Sequence, residues 1–101
     1  MSATVYVSLK AQQDIDDIVS HLQFEAGHGV AVVHLKKFND AIVGLTDFPE
    51  IGAPRPRLGQ GIRILVLTPY LVIYRVTNEE VVVRRVLDGR RRITRKLINA
   101  P

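Results

Sequence analysis

Three apolar runs separated by very short breaks constrain the fold of this chain more than any other feature. They read IRILVLT from Ile62, YLVIYRV from Tyr70 and VVVRRVL from Val81, with Pro69 and then TNEE between them. Connections this short join antiparallel neighbours, so the runs predict a three-stranded antiparallel meander. The middle run is apolar on both alternating faces, which predicts that it is the central strand.

The N-terminal half carries the pattern of one short strand and two helices that can cover such a sheet. TVYVSL, from Thr4 to Leu9, predicts a strand, and Ser8 is placed to cap the helix that follows it. Two apolar stripes with helical spacing flank GHG at residues 27–29, and they consist of Ile15, Ile18, Val19, Leu22 and Ala26, then Ala31, Leu35, Phe38, Ile42 and Leu45. So short a link between amphipathic helices predicts an antiparallel helical hairpin.

The remaining segments complete the predicted order of elements. Residues 47–61 are rich in Pro and Gly and predict a loop without regular structure, in which Arg55 and Arg57 are candidates for contact with a partner. Asp88 and Gly89 predict a turn, after which RRRITRKLI can form a short C-terminal helix. We therefore predict one α+β domain over residues 1–101: an N-terminal strand, the helical hairpin, the meander and this short helix.

The positive charge of the chain is concentrated near its C-terminus. The formal net charge is +4, yet between Arg84 and Lys96 there are seven Lys and Arg against a single acid, Asp88. The remainder carries seven basic and nine acidic residues, which makes it mildly acidic. Such an asymmetry indicates an anionic partner, either nucleic acid or an acidic protein segment.

Several classes of function are disfavoured by what the sequence lacks. The absence of cysteine excludes disulfides and thiol catalysis and fits a reducing cytoplasm. No signal-peptide pattern is present, and the longest apolar stretch falls short of the roughly 20 residues that span a bilayer, so we expect a cytoplasmic protein without a membrane partner. The three histidines lack zinc-site spacing, no nucleophile motif is found, and we expect no metal and no cofactor.

Two sets of charged residues have simple structural interpretations. Asp14, Asp16 and Asp17 lie early in the first predicted helix, where carboxylates suit the helix dipole, and we assign them no chemistry. Arg84 and Arg85 should point to opposite faces of the last strand. Because a buried unpaired arginine is costly, the inward one must reach an edge or an acid. The outward one could join other arginines in a basic patch, namely Arg63, Arg75 and Arg90 to Arg92.

Taken together, the segments DIDDIVSHL, LTDFPEIGAPRPRLGQGIR, YLVIYRV and VVVRRVLDGRR resemble the RelE/ParE superfamily of bacterial toxins from toxin–antitoxin systems, and most of all its ParE branch. The match extends from about Ser8 to about Arg92, and its specificity lies in the order and spacing of the motifs. The resemblance implies a fold consistent with the predicted element order, and a cognate antitoxin encoded next to the toxin gene.

The superfamily implies two different activities. RelE-like toxins cleave mRNA on the ribosome, whereas ParE-like toxins poison DNA gyrase without cleaving anything themselves. For a ribonuclease the matching residues would be Arg63, Tyr74 and Arg91, but Tyr70 is followed by leucine where an arginine is expected, and the late tyrosine is missing. Since no base is found for the reaction, we predict a ParE-like gyrase inhibitor that is not an enzyme; an mRNA endonuclease and an inactive, antitoxin-binding homologue are the alternatives.

Candidate binding residues follow from the charge pattern together with the resemblance. For the target we predict contacts from Arg90, Arg91, Arg92, Arg95 and Lys96. For a ParD-like antitoxin, whose disordered segment would fold over the toxin, we predict contacts from Arg63, Arg75, Arg85, Ile15 and Leu22. Because antitoxins of this family often dimerise, the resemblance is consistent with a heterotetramer of two toxins and two antitoxins.

Overall fold

The computed structural model describes residues 2–99, which form a five-stranded sheet, two long helices and a short third helix. The elements in chain order are β1 (Thr4–Val7), α1 (Leu9–Ala26), α2 (His28–Gly44), β2 (Ala53–Pro54), a 3-10 turn (Pro56–Leu58), β3 (Ile62–Leu67), β4 (Tyr70–Thr77), β5 (Glu80–Asp88) and α3 (Arg95–Asn99). The predicted α+β class, helical hairpin, meander and short C-terminal helix are confirmed.

The strands are arranged in the order β1-β5-β4-β3-β2. β1 runs parallel to β5, and the other pairs are antiparallel. The prediction of no regular structure in residues 47–61 is wrong at two places, since β2 and the 3-10 turn lie there. Proline is tolerated in β2 because this strand lies at the edge of the sheet, where a backbone N–H on the outer side has no neighbouring strand to bond.

Local sequence signals explain where the long helices begin and end. The Ser8 hydroxyl accepts a hydrogen bond from the Ala11 N–H at 3.0 Å, which is the predicted N-cap of α1. Gly27 ends α1 with a φ of 96°, a conformation that side chains disfavour. α2 starts at the next residue, so the link of the hairpin is one glycine rather than the whole GHG segment.

Apolar side chains cover both faces of the sheet. The helix-facing core joins Ile15 of α1 and Phe38 of α2 to the sheet, and its members from the strands are Tyr70, Val72, Tyr74, Val81, Val83 and Val86. A second, smaller core lies on the opposite face, where Ile62, Ile64, Ile73, Leu87 and Ile98 are buried. α3 and the 3-10 turn pack on this second face, so both faces of the sheet are at least partly covered.

A β-bulge in β5 changes which side chains face the helices. Ile73 pairs with Arg85 and Tyr74 pairs with Val83, which leaves Arg84 without a partner in β4. As a result, Val83 before the bulge and Val86 after it both belong to the helix-facing core.

The edge of β5 beyond β1 is completed by α1 instead of by a strand. β1 pairs only with residues 80–83 of β5. Past that point the Ser8 hydroxyl donates to the Arg84 carbonyl at 3.1 Å, and the Asp14 carboxylate accepts from the Val86 N–H at 3.0 Å. The same carboxylate accepts from Arg85 Nε at 2.7 Å and Arg85 Nη2 at 3.1 Å. The sequence predicts that an inward arginine reaches an edge or an acid, and Arg85 reaches both.

Asp14 and Arg85 form a buried pair, so removing one partner should be costly. We expect Asp14→Ala to lower the free energy of unfolding by about 3 kcal/mol, because it leaves the buried guanidinium and the Val86 N–H unpaired. Asp16→Ala is the matched control on the exposed side of the same helix turn, with an expected change of at most about 0.5 kcal/mol. Urea denaturation measures both, and equal losses in the two variants would contradict the assignment.

Candidate functional site

The cations that follow β5 lie in different environments, and Arg90 is engaged locally. Its guanidinium donates to both carboxylate oxygens of Asp88, at 3.1 and 2.8 Å, and its backbone N–H donates to Asp88 Oδ1 at 2.8 Å. These hydrogen bonds lower the pKa of Asp88 from 3.8 to about 2. The pair therefore fixes the turn at the end of β5, and Arg90 is less free to contact a target than the sequence analysis assumed.

Arg91 lines a polar cleft between α1 and the sheet. The cleft has a volume of about 280 Å³, and its polar lining includes Asp17 and His21 of α1, Tyr70 of β4 and Asp88. The Tyr70 ring packs edge-on against Phe38. Burial and the nearby Asp88 charge raise the pKa of Tyr70. Because cations and carboxylates are mixed here, the cleft has no single preferred ligand charge.

A second and larger cavity, of about 540 Å³, lies on the sheet face opposite the hairpin. We call it the arginine groove, and it is lined by Arg55, Arg57, Leu58, Ile64, Val66, Leu71, Arg92, Ile93, Thr94 and Arg95. Its floor comes from β3 and β4, one wall from the 3-10 turn, and the other from the segment that leads into α3. The groove exists because the C-terminal segment folds back over the sheet.

The floor of the arginine groove presents apolar surface to solvent. Val66 of β3 and Leu71 of β4 are cross-strand partners, and the Val66 side chain is 58% exposed. Ile64 lies two residues before Val66, so the pleat places both on this face, and its side chain is buried. The groove thus offers an aliphatic strip between arginines.

The arginines of the groove have no carboxylate partner in the part of the chain that the structure describes. Across residues 2–99 the ion pairs are Lys36 with Asp40, Arg85 with Asp14, and Arg90 with Asp88. Arg95 Nε donates to the backbone oxygen of Arg57 at 2.8 Å, which ties the two walls together. Four cations therefore surround an apolar floor, and their charge is not neutralised from within residues 2–99.

The segment that leads into α3 also lines a smaller cationic cavity. It measures about 390 Å³ and is lined by Arg91, Arg92, Thr94, Lys96 and Leu97. Arg92 and Thr94 line both cavities. Of the predicted target residues, Arg95 lines the groove, Arg91 and Lys96 line this cavity, and Arg92 lines both.

Arg63 and Tyr74, two of the three residues considered for a ribonuclease, hold a loop in place. Arg63 Nη1 donates to the carbonyls of Glu50 at 3.0 Å and Gly52 at 2.8 Å. The fully buried Tyr74 phenol accepts from the Gly52 N–H at 2.8 Å. A Cβ on Gly52 would lie 2.8 Å from that phenol oxygen, so only glycine allows this approach.

The third of these residues, Arg91, lies elsewhere. It shares a cleft with Tyr70 at the start of β4, and Tyr74 lies four residues further along that strand, which is roughly 13 Å. Burial raises the pKa of the Tyr74 phenol, and the Gly52 N–H already occupies its oxygen. Arg63 and Tyr74 are cross-strand partners, but the structure does not bring Arg91 to them.

The residues predicted to bind an antitoxin are placed mostly inside the protein. Ile15 is buried and Leu22 half-buried in the helix-facing core, and Arg85 is buried against Asp14. These three therefore do not form an exposed docking surface, because hydrophobic burial and the ion pair already engage them. Arg75 is more accessible, and its Nε donates to the Gln60 carbonyl at 3.1 Å.

Two features of the site were missed by the sequence analysis. One is Asp14 as the partner of Arg85, a contact between residues 71 positions apart that no local pattern announces. The other is the apolar floor of the arginine groove. The sequence does carry a signal for the packing of the C-terminal segment that forms one wall of this groove, because Ile93, Leu97 and Ile98 recur there at near-helical spacing.

The same fold is found in a solved structure described as "Chromosomal ParDE TA system from P. aeruginosa". The match has a TM-score of 0.74 and 25% sequence identity, and it covers 86% of this chain and 96% of that one. This similarity places the chain in the structural class of toxin–antitoxin proteins.

The sequence comparisons identify the family within that class. A family model described as "ParE toxin of type II toxin-antitoxin system, parDE" matches residues 5–93. Toxin ParE3 of Caulobacter vibrioides is 32% identical over 84 residues, which are 83% of this chain and 84% of that protein. The chain therefore belongs to the ParE toxin family of type II toxin–antitoxin systems, as the resemblance indicated.

Two kinds of feature are absent from the described residues. Within residues 2–99 no three His, Asp or Glu side chains are grouped so that they could hold a metal ion. No helix in that range is long and apolar enough to cross a membrane.

The Asp88–Arg90 pair predicts an unusual titration. Because the folded-state pKa of Asp88 is lowered, the stabilisation by this pair is fully present above about pH 4 and lost as the pH falls towards 2. In a carboxyl NMR titration we expect a midpoint near 2 for Asp88 and a return towards 3.8 in Arg90→Gln. Arg92→Gln removes the same charge two residues away and should leave the midpoint low; an ordinary midpoint in the unmodified protein would refute the pair.

Proposed function

We propose that this ParE-family toxin inhibits DNA gyrase by binding it, and that a ParD-like antitoxin neutralises it. The observation that carries the proposal is the placement of Tyr74, which is fully buried and hydrogen-bonded to Gly52. With its phenol engaged there and Arg91 at the other end of the strand, the residues considered for RNA cleavage do not form a site. An activity that relies on binding is the better supported one.

The surface that we assign to the target is the cationic cavity of Arg91, Arg92 and Lys96. Within residues 2–99 these side chains take part in none of the ion pairs, so their charges are available to an acidic surface. Arg95 lies one residue from Lys96 and extends the patch, although its Nε is bound to the Arg57 carbonyl. Arg90 contributes indirectly, by fixing the turn from which this segment departs.

The antitoxin is proposed from the family and from the solved relative, which is described as a ParDE system. Of the residues predicted from the sequence, Arg63 and Arg75 remain candidates for this contact because both are only partly buried. An assembly of two toxins with an antitoxin dimer is part of the same proposal.

The test of the target proposal is a DNA supercoiling assay with purified gyrase. We expect the toxin to inhibit supercoiling and the double variant Arg91→Glu, Lys96→Glu to need at least about tenfold more protein for half inhibition, equivalent to about 1.4 kcal/mol of binding. The matched control is Lys36→Glu, Lys37→Glu, which reverses two charges on the outer surface of α2 and should behave like the original protein.

Three results would contradict the proposal in different ways. Cleavage of mRNA in a translating extract, with supercoiling unaffected, would identify a ribonuclease. Normal growth of cells that overproduce the toxin without antitoxin would identify an inactive homologue. Equal loss of inhibition in the two double variants would show that net charge matters and that the assigned surface does not.

A further inference from the structure

The arginine groove combines two properties that together restrict what can occupy it. Arg55, Arg57, Arg92 and Arg95 supply charge, and the described chain gives none of them a carboxylate. Between them the aliphatic floor includes Val66, which is more than half exposed. A ligand that satisfies both properties must carry acidic groups beside aliphatic ones.

Nucleic acid satisfies only the first of these properties. Proteins that bind single strands pair cations with aromatic rings on which the bases stack. The lining of the groove contains isoleucine, leucine and valine but no aromatic residue. Bases would therefore find no stacking surface, whereas the apolar side chains of a peptide would gain by burial at roughly 25 cal/mol per Å².

The walls of the groove are held in position before any partner arrives. Arg95 Nε bonds to the Arg57 carbonyl and so links the two walls. Two contacts of α3 also hold the wall formed by the segment that leads into this helix. The Ile98 side chain is buried, and Arg85 Nη1 donates to the Leu97 carbonyl at 2.7 Å. A preorganised groove lowers the entropic cost of binding, so that the cost falls mainly on the incoming segment.

We infer that the arginine groove binds a segment of the antitoxin in which acidic residues are interspersed with aliphatic ones. The aliphatic side chains lie on the strip of Val66 and Leu71, and the carboxylates pair with the arginines on the two walls. This inference rests on the proposed antitoxin partner but not on gyrase as the target. It also assigns Arg55 and Arg57 a partner, and it gives Arg92 and Arg95 a second role besides the target.

The experiment measures the affinity of the full-length cognate antitoxin for the toxin by isothermal titration. Arg57→Glu and Val66→Asp are each expected to weaken binding at least about tenfold. Lys37→Glu and Val43→Asp are the matched controls, since Lys37 and the 69% exposed Val43 lie on the outer surface of α2, and both should bind normally. Circular dichroism checks that all four variants fold, and because Arg57 and Val66 are both exposed, at least one groove variant should remain usable.

A gyrase assay on the same variants separates this inference from the proposed function. Groove variants that inhibit supercoiling normally but escape the antitoxin would support the assignment. Groove variants that bind the antitoxin normally, or that lose gyrase inhibition alone, would overturn it. The inference would also be overturned if a double-stranded DNA 20-mer or polyglutamate displaced the antitoxin from the toxin at a concentration similar to that of the antitoxin itself. If the unmodified toxin fails to inhibit gyrase, the target proposal falls, while the antitoxin titration still decides the role of the groove.

Discussion

The buried ion pair between Asp14 and Arg85 connects all the layers of this protein. β1 is too short to cover the whole edge of β5, so the N–H of Val86 would face no strand. Asp14 supplies the missing acceptor and at the same time neutralises Arg85, whose Nη1 donates to the Leu97 carbonyl. One guanidinium thus joins α1, β5 and α3. The desolvation cost of burying its charge is offset by the carboxylate and by the hydrogen bond to the Leu97 carbonyl.

The position of the arginine groove depends on this junction. The segment from Arg90 to Lys96 carries five cations and no acid, and such a segment would ordinarily remain solvated because like charges repel. Here Ile93, Leu97 and Ile98 pack on the second core while Arg85 fixes the Leu97 backbone, so the tail is drawn onto the sheet. The cations between those apolar residues must then project from the surface, some into the groove and some away from it.

The predictable part of this structure was the part that repeats along the chain. Strand alternation, helical stripes and the Ser8 cap are local, and they predicted the hairpin, the meander and the fold class correctly. The Asp14–Arg85 pair joins distant positions, and the bulge at Arg84 shifts the alternation by one residue, so neither can be read from a local period. Predictions for individual site residues were weaker, because an apolar side chain can pack either against a partner or in the protein's own core. Ile15 and Leu22 were predicted to contact the antitoxin, but they pack in the helix-facing core.

The cations that follow β5 line two cavities that share one arginine, and this arrangement suggests how an antitoxin would neutralise the toxin. Arg92 lines both the arginine groove and the neighbouring cavity of Arg91 and Lys96, so a segment bound in the groove would compete for a cation that also belongs to the proposed target surface. The walls of the groove are tied to each other and to the main body of the fold, which leaves little room for a rearrangement of the core on binding. Neutralisation would then follow from occlusion and charge compensation at a shared edge, and it would require no change in the conformation of the toxin.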